Sequence, residues 1–284
     1  MRNILFFLFL IYSSITLFGQ QNEIPSLLHQ LQSTPLDSSK INIYLDLTDQ
    51  YSSVNIDSSV HYYNRISPLL NEKSNYSKLW ESTFFLVKRL EDKGDFQQAK
   101  DILDQIIPIL TNHGDNNLIA KAITKLAGWN WLISDLKEAQ LQLNQALEYA
   151  EKGKNKSLKA DILNTFGLLN SDMENPKEAL KYQQKALEMF VEAKDTIGQA
   201  KLLNNLGYAH IQKKEYHQAA EKLNEAVIFL IDSRYDDYYE LTLANLGFAK
   251  IGTGEVKTGF DKINTAYDLA KQHKNLQILV IINE

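Results

Sequence analysis

Apolar and small residues recur along this chain with a period of forty positions. The clearest copy contains Leu206-Gly207, and the same pair of positions holds Leu246-Gly247, Phe166-Gly167, Leu126-Ala127 and Leu86-Val87. A second column, twelve positions after the first, holds Ala99, Ala139, Ala179, Ala219 and Gly259. A third column, seven positions further on, holds Ile106, Ala146, Ala186, Ala226 and Ala266. Five copies at one spacing predict a protein that uses one structural unit many times.

Each unit is predicted to contain two amphipathic helices. In the clearest copy the buried positions lie three or four residues apart, first at Leu203, Leu206, Gly207 and His210, then at Ala219, Leu223, Ala226 and Leu230. This spacing places each set on one face of a helix. The small columns allow two helix backbones to approach closely. The pattern therefore predicts an all-α protein of antiparallel helix pairs.

The connections between helices carry start and stop signals. Acidic or amide residues stand four positions before each residue of the second column, at Asp95, Asp135, Asn175, Glu215 and Glu255. Most of them are followed three positions later by Glu or Gln, which is typical of a capping box, and Pro176 suits the first position of a helix. Positive φ angles that end helices are expected at Gly94, Gly114, Gly153 and Gly254.

The N-terminus differs from the rest of the chain. Arg2 precedes an apolar run from Ile4 to Phe18, and Gly19 supplies a small residue at a cleavage position. Residues 1–19 are therefore predicted to be a secretory signal peptide. The run is shorter than the roughly 20 residues of a membrane-spanning helix, so we expect no membrane insertion after cleavage; an uncleaved anchor is the alternative. The chain contains no cysteine, which excludes a lipoprotein anchor and disulfides.

The predicted segments follow the repeat. Residues 20–39 form an N-terminal connection or cap, and residues 40–74 form a degenerate first repeat. Residues 75–275 contain five repeats of about 40 residues, and residues 276–284 begin a further, apolar helix. We expect that helix to mark either a truncated fragment of a longer protein or a half-repeat cap docked on the preceding unit. Its open apolar side also predicts self-association by stacking of copies.

Charge excludes one class of partner. Loss of Arg2 with the signal peptide lowers Lys plus Arg from 30 to 29 against 35 acidic residues, so the net charge changes from −5 to −6. The basic residues are scattered among acidic ones, whereas a nucleic acid requires a basic face. No nucleic-acid partner is expected.

Candidate chemistry is sparse. The six histidines are dispersed without the i, i+4 spacing of a helical metal site, at His29, His61, His113, His210, His217 and His273. The sequence has no phosphate-binding glycine loop, nucleophile elbow or kinase signature. The carboxylates near Tyr238, namely Asp236, Asp237 and Glu240, are interpreted as a polar loop between helices. We therefore expect no catalytic residues, no metal and no cofactor.

The pattern Leu203-x-x-Leu206-Gly207-x-x-His210, followed by Ala219, Leu223 and Ala226, resembles the tetratricopeptide repeat (TPR). The offsets match throughout residues 80–270, with a period of forty instead of about thirty-four. This period is similar to that of longer-helix members of the superfamily, such as kinesin light chains and peptide-sensing bacterial regulators. The resemblance implies a right-handed α-solenoid, a TPR-like superhelix whose concave face is lined by the first helix of each unit.

The resemblance also implies that a peptide or protein partner binds along this concave face. Asn205 and Asn245 hold equivalent positions there, and stacked amides that donate and accept hydrogen bonds suit the main chain of an extended peptide. The alternative is that these asparagines satisfy neighbouring helix ends. The other candidate positions are Lys125, Trp131, Asn164, Lys201, Asn204, Tyr208 and Phe248.

Two classes of function remain. One is an exported, non-catalytic scaffold on the periplasmic or cell-envelope side of a bacterial membrane, which binds an extended peptide or a partner protein. The other follows from the resemblance to exported N-terminal repeat regions of bacterial sensors: the extracytoplasmic part of a longer two-component histidine kinase or transcriptional regulator. A stretch of about 20 apolar residues after Glu284 would support the sensor.

Overall fold

A computed structural model describes residues 23–34, 37–71, 74–231, 237–273 and 276–283. Every regular element within these ranges is helical, which confirms the predicted all-α fold. The predicted signal peptide lies outside the described residues. The chain divides into two compact units at Lys156. We call residues 23–155 the N-terminal unit and residues 156–283 the C-terminal unit.

The N-terminal unit contains seven α-helices in its described part. They are α1 (Ile24–Ser33), α2 (Ile41–Ser52), α3 (Ile56–Tyr63), α4 (Tyr76–Lys93), α5 (Phe96–His113), α6 (Asn116–Leu132) and α7 (Leu136–Gly153). The pair α2/α3 is short, with 12 and 8 residues, whereas α4/α5 and α6/α7 pack as pairs of 17 to 18 residues per helix. The short pair lies in the segment where the sequence pattern is weakest.

The C-terminal unit contains a further seven helices in its described part. They are α8 (Lys156–Asp172), α9 (Pro176–Glu192), α10 (Thr196–Gln212), α11 (Tyr216–Leu230), α12 (Asp237–Gly252), α13 (Val256–Gln272) and α14 (Leu276–Asn283). The pairs are α8/α9, α10/α11 and α12/α13. Their first helices, α8, α10 and α12, contact one another in succession. We call these three helices the first-helix layer.

The last helix packs on the pair before it. Helix α14 contacts α12 and α13, and Ile278 is fully buried in a cluster with Tyr238, Leu241 and Ala270. Val280 remains 53% exposed. Over the described ranges, no helix has the length and hydropathy required to cross a bilayer.

The small columns lie where paired helices touch, as the pattern predicts. Ala219 and Ala226 on α11 are fully buried, and a Cβ on Gly207 of α10 would lie 2.5 Å from Cγ of Leu223 on α11. Between α12 and α13, a Cβ on Gly247 would lie 2.5 Å from Cγ1 of Ile263 and 2.7 Å from the carbonyl oxygen of Gly259. Helix pairs at this distance require glycine or alanine at the contact.

A left-handed residue ends almost every long helix, at intervals of twenty positions. Positive φ angles occur at Gly94, Gly114, Ser134, Lys154, Glu174, Lys194, Lys214 and Gly254. The forty-residue unit is therefore two halves of equal length, joined by the same turn. The prediction for Gly153 is wrong, because Gly153 still belongs to α7 and Lys154 takes the left-handed conformation. Gly153 is small for another reason: a Cβ there would lie 2.1 Å from Oδ1 of Asn117.

The predicted helix caps form in part. Oδ1 of Asp95 and of Asp135 accepts the N–H three residues later, and Pro176 is the first residue of α9. Asn175, Glu215 and Glu255 make no such side-chain bond. Further caps at Asp115 and Asp195, in the connections between pairs, follow from the twenty-residue turn.

The interpretation of residues around Tyr238 as a polar loop is wrong. Tyr238 and Glu240 belong to α12, and the carboxylate of Glu240 is fully buried. Oε1 of Glu240 lies 2.6 Å from Nδ1 of His273, so an ionisable pair links α12 to the end of α13. Tyr235 and Asp236 lie outside the described residues.

Candidate functional site

Four asparagines lie in the first-helix layer of the C-terminal unit. Asn164 lies on α8, Asn204 and Asn205 on α10, and Asn245 on α12. Each side chain is more than nine-tenths buried, from 0% exposed at Asn204 to 8% at Asn164. The repeat brings them together, because Asn164 and Asn204 are one period apart, as are Asn205 and Asn245.

Two of these asparagines are directly hydrogen-bonded. Nδ2 of Asn245 donates to Oδ1 of Asn204 at 3.0 Å, and the bond joins α12 to α10 across 41 positions of sequence. The partner of Asn245 is thus Asn204 and not Asn205, which holds the equivalent position one period earlier. Packed helices cross at an angle, so side chains that touch need not share a register position.

Three amide atoms of this group lack a partner. Oδ1 of Asn164, Nδ2 of Asn204 and Oδ1 of Asn205 are buried and form no hydrogen bond to any described residue. A buried polar atom without a partner costs about 1–3 kcal/mol, and native proteins keep few of them. Their unmet hydrogen-bonding capacity makes the first-helix layer the candidate contact surface for a molecule with both donors and acceptors.

Apolar surface lies one helical turn beyond the amides. Tyr208 follows Asn205 by three positions on α10, and Phe248 follows Asn245 by three on α12. Both rings are partly buried: Tyr208 packs on the cluster that contains Leu203, and Phe248 packs on the cluster that contains Ala244. Burial raises the pKa of Tyr208, so its phenol is neutral at physiological pH.

Lys201 lies one turn before Asn204 and is buried as well. Its Nζ is 4.7 Å from the centroid of the Tyr238 ring, within the range of a cation–π interaction. The positive charge of Lys201 is therefore stabilised inside the C-terminal unit.

The last two predicted site residues, Lys125 and Trp131, lie on α6 of the N-terminal unit. Lys125 is 6% exposed and its Nζ lies 2.8 Å from Oε1 of Glu91. The same carboxylate accepts a hydrogen bond from Nε1 of Trp129 at 2.8 Å. Trp131 is 4% exposed. The charge of Lys125 is thus balanced by a partner within its own unit.

The partners of the buried charges were missed by sequence analysis. Glu91 precedes Lys125 by 34 positions, and His273 follows Glu240 by 33. Neither separation matches the forty-residue period that marks equivalent positions. No local motif marks these pairs either, because each is created by packing between helices.

The chemistry of the first-helix layer is hydrogen bonding and packing. Its unpaired groups are amides, which do not exchange protons in acid–base catalysis. In the portion of the chain that the structure describes, no group of three or more His, Asp or Glu side chains is arranged to hold a metal ion.

One family model matches a part of the C-terminal unit. Residues 158–227, which include most of α8, all of α9 and α10 and most of α11, match the family model of the tetratricopeptide repeat. Among curated proteins, none matches the sequence.

Solved structures share the fold at low sequence identity. The apo form of RapI has a TM-score of 0.64 at 17% identity, over 89% of this chain and 92% of RapI. A Rap protein complexed with competence and sporulation factor has a TM-score of 0.62 at 15% identity, and the match covers 92% of this chain and 71% of the Rap protein. The apo form of the quorum sensor NprR from B. thuringiensis has a TM-score of 0.59 at 17% identity, and the match covers 92% of this chain and 74% of NprR.

Proposed function

We propose that this chain, a member of the tetratricopeptide repeat superfamily, is a non-catalytic scaffold that binds an extended peptide or a partner protein. The observation that carries the proposal is the set of buried, unpartnered amide atoms of Asn164, Asn204 and Asn205. A peptide main chain offers one N–H donor and one carbonyl acceptor per residue. It therefore supplies partners for both the amide oxygens and the amide nitrogen, once these side chains turn toward the surface of the layer.

The similar structures support the same class of function. One is a Rap protein complexed with competence and sporulation factor, and another is a quorum sensor. At 15% and 17% identity, this likeness supports binding as the activity and does not identify the ligand.

The ionisable groups near the face support binding without chemical conversion. Lys201 is held over the ring of Tyr238 and Lys125 is paired with Glu91. Charged groups that are already engaged inside the fold are poor general acids or bases, since catalysis requires them to reach a reacting atom. We propose a scaffold with no cofactor.

We propose that the mature protein acts on the periplasmic or cell-envelope side of a bacterial membrane. The apolar run between Ile4 and Phe18, preceded by Arg2 and followed by Gly19, supports this location. Sequencing the N-terminus of the protein recovered from its native envelope tests it. A start near residue 20 is expected, and a protein that still begins at Met1 would contradict cleavage.

A second candidate is the sensory region of a longer histidine kinase or transcriptional regulator. The likeness to the quorum sensor NprR favours it. The coding sequence after Glu284 decides between the two: about 20 apolar residues followed by a kinase domain support the sensor, and a stop after a polar helix contradicts it.

Peptide binding is tested with random-sequence peptides of about eight residues. At about 3.3 Å per residue they span roughly 26 Å, enough to cross three helices about 9 Å apart. The purified full chain is incubated with this library and with a matched library whose main-chain nitrogens are methylated. We expect retention of the first library only, because methylation removes the N–H donors.

The matched variants remove two asparagines each. Asn164→Ala/Asn205→Ala removes amides of the face, and Asn224→Ala/Asn264→Ala removes exposed amides of α11 and α13. We expect the first variant to retain about tenfold less peptide and the control to behave as the parent. The unfolding temperature of each variant shows whether the amides serve binding or the stability of the helices. A lower unfolding temperature for the first variant would show that its amides form hydrogen bonds within the fold. Equal peptide retention by the first variant and the control would overturn the proposal.

A further inference from the structure

Helix α11 presents an apolar face to α12, the first helix of the next pair. The ring of Tyr216 lies against Gly252, where a Cβ would be 2.3 Å from Cγ of that ring. Ala220 is 6% exposed and belongs to a buried cluster with Leu246 and Ala249 of α12. These contacts are part of the interface that joins the pair α10/α11 to the pair α12/α13.

Helix α13 carries apolar side chains at the same positions, but there they are exposed. Val256 is 48% exposed, Phe260 is 53% exposed and Tyr267 is 36% exposed. They stand one period after three residues of α11 that pack toward the next pair, namely Tyr216, Ala220 and Val227. We call Val256, Phe260 and Tyr267 the α13 face. An interface that the repeat forms on α11 is thus open on α13.

Helix α14 covers the opposite end of α13. It has 8 residues, whereas α12 has 16, and its Ile278 shares a buried cluster with Ala270 near the C-terminal end of α13. Val256 and Phe260 lie in the first two turns of α13, which begins at Val256. The part of the α13 face that contains them lies beside α14 and is accessible to another molecule.

We propose that the α13 face binds an amphipathic α-helix of a partner protein, and that this helix carries small residues three positions apart, as α12 does at Ala249 and Gly252. The interface between α11 and α12 defines this chemistry, because helices approach closely only where one of them offers small side chains. The α13 face does not include the asparagines of the first-helix layer. The inference therefore goes beyond the proposed function and does not depend on it.

A second copy of this chain fits the α13 face less well than such a helix does. In a symmetric dimer the same patch meets itself. Val256, Phe260 and Tyr267 of one copy would then lie against the same three large side chains of the other copy. Neither copy would supply the small residues that the interface between α11 and α12 contains.

The test uses a fluorescein-labelled peptide of residues 239–254, which contains the contact positions of α12. The peptide is titrated into the purified full chain, and fluorescence anisotropy gives its dissociation constant. One control peptide has the same composition in scrambled order, and we expect it not to bind. The second carries Ala249→Leu and Gly252→Leu, and we expect it to bind about tenfold more weakly, because added bulk disrupts close packing. Leucine favours the helix more than glycine does, so lost helicity would not explain that result.

Two protein variants locate the binding surface. Phe260→Ser removes the most exposed side chain of the α13 face. Leu180→Ser is the matched control, because Leu180 holds the same column on α9 and is 52% exposed. We expect Phe260→Ser to bind the peptide about tenfold more weakly and Leu180→Ser to bind it as the parent does. Both side chains are exposed, so circular dichroism should show the helicity of the parent in each variant.

Several results would overturn the inference. Failure of the parent to bind the peptide of residues 239–254 would do so, as would equal binding by the parent and Phe260→Ser. Equal binding of the Ala249→Leu/Gly252→Leu peptide would show that the face does not select small residues. Sedimentation velocity over a dilution series tests the second copy: a dimer that Phe260→Ser dissociates would show that a second copy covers the α13 face, which would also contradict the inference.

Discussion

The ammonium group of Lys125 lies 2.8 Å from Oε1 of Glu91, and the two side chains are only 6% and 3% exposed. Trp129 donates a further hydrogen bond to the same carboxylate at 2.8 Å. The network joins α6 to α4, the first helices of successive pairs in the N-terminal unit. Burying either charge alone would cost several kcal/mol, so each residue requires the other.

Replacement of Lys125 should therefore lower the stability of the fold. We expect Lys125→Met to lower the free energy of unfolding by roughly 3–5 kcal/mol, because Glu91 is left as an uncompensated buried charge. The matched control is Lys100→Met, which breaks the exposed pair between Lys100 and Asp104 at 2.6 Å and should cost less than about 1 kcal/mol. Urea unfolding followed by circular dichroism measures both changes. Equal shifts of the two midpoints would contradict the assignment of a buried pair.

The fold could be predicted because a weak sequence pattern occurs several times along the chain. One Leu206-Gly207 pair indicates little, but the same columns recur at a spacing of forty residues, and each copy is subject to the same packing demand. The twenty-residue spacing of the turns was missed because it depends on backbone conformation. Ser134, Glu174 and Lys194 adopt the left-handed conformation that sequence analysis assigned only to glycines.

For the candidate site, the sequence predicted which helices carry the asparagines, but it did not predict which side chains contact each other. Asn204 and Asn245 were both named from the first-helix pattern, yet their hydrogen bond spans 41 positions and depends on how α10 crosses α12. Lys125 was named for its place in the same column as Asn205. Its pairing with Glu91 was not visible, since the two residues share no register position.

The contact between Gly247 and Gly259 predicts a difference between two glycines of the same column. Both new methyl groups would meet a side chain at 2.5 Å, Ile263 for Gly247→Ala and Leu223 for Gly207→Ala, but only Gly247→Ala would also meet backbone, the oxygen of Gly259 at 2.7 Å. A side chain can move away from the methyl group, but the backbone of a packed helix cannot. Alanine gains about 1 kcal/mol of helix propensity over glycine at both positions. We expect Gly207→Ala to be nearly neutral and Gly247→Ala to destabilise by about 2 kcal/mol.

Thermal unfolding measures this difference, and the shared helix propensity cancels between the two variants. A Gly207→Ala variant that loses as much stability as Gly247→Ala would contradict the distinction between backbone and side-chain contacts.

The left-handed lysine at position 194 predicts opposite effects for two substitutions at one site. Its φ angle is 57°, a conformation that costs non-glycine residues roughly 1–2 kcal/mol. Lys194→Gly removes this cost but adds chain entropy to the unfolded state, so we expect a net gain of about 0.5 kcal/mol. Lys194→Val should instead lose about 1 kcal/mol, because a β-branched side chain tolerates positive φ poorly.

The control for this comparison is Lys185→Gly, in the exposed interior of α9. Glycine there should destabilise by about 1 kcal/mol. Urea unfolding should show that Lys194→Gly raises the free energy of unfolding, whereas Lys194→Val and Lys185→Gly lower it. A lower free energy of unfolding for Lys194→Gly would show that glycine is not preferred at this turn.

Asp49 on α2 predicts a dependence of stability on pH. Burial raises the pKa of Asp49 to about 6; the neighbouring carboxylate of Asp46 adds to the increase, and the hydroxyl of Ser82 and the ammonium of Lys78 oppose it. The folded state therefore binds this proton more tightly than the unfolded state does. The resulting stabilisation is fully present below about pH 4 and is lost as the pH rises through about 6.

The substitution Asp49→Asn isolates this contribution, because an amide has the size of the protonated acid and does not ionise. A pKa change of about two units corresponds to about 3 kcal/mol, which the partial exposure of Asp49 reduces to about 2 kcal/mol. We expect Asp49→Asn to match the parent near pH 4 and to exceed its stability by about this amount near pH 7.5. The exposed substitution Asp268→Asn should show no such divergence. Urea midpoints of the three proteins across this range measure the effect. A difference between Asp49→Asn and the parent that stays constant with pH would show that folding does not raise the pKa of Asp49.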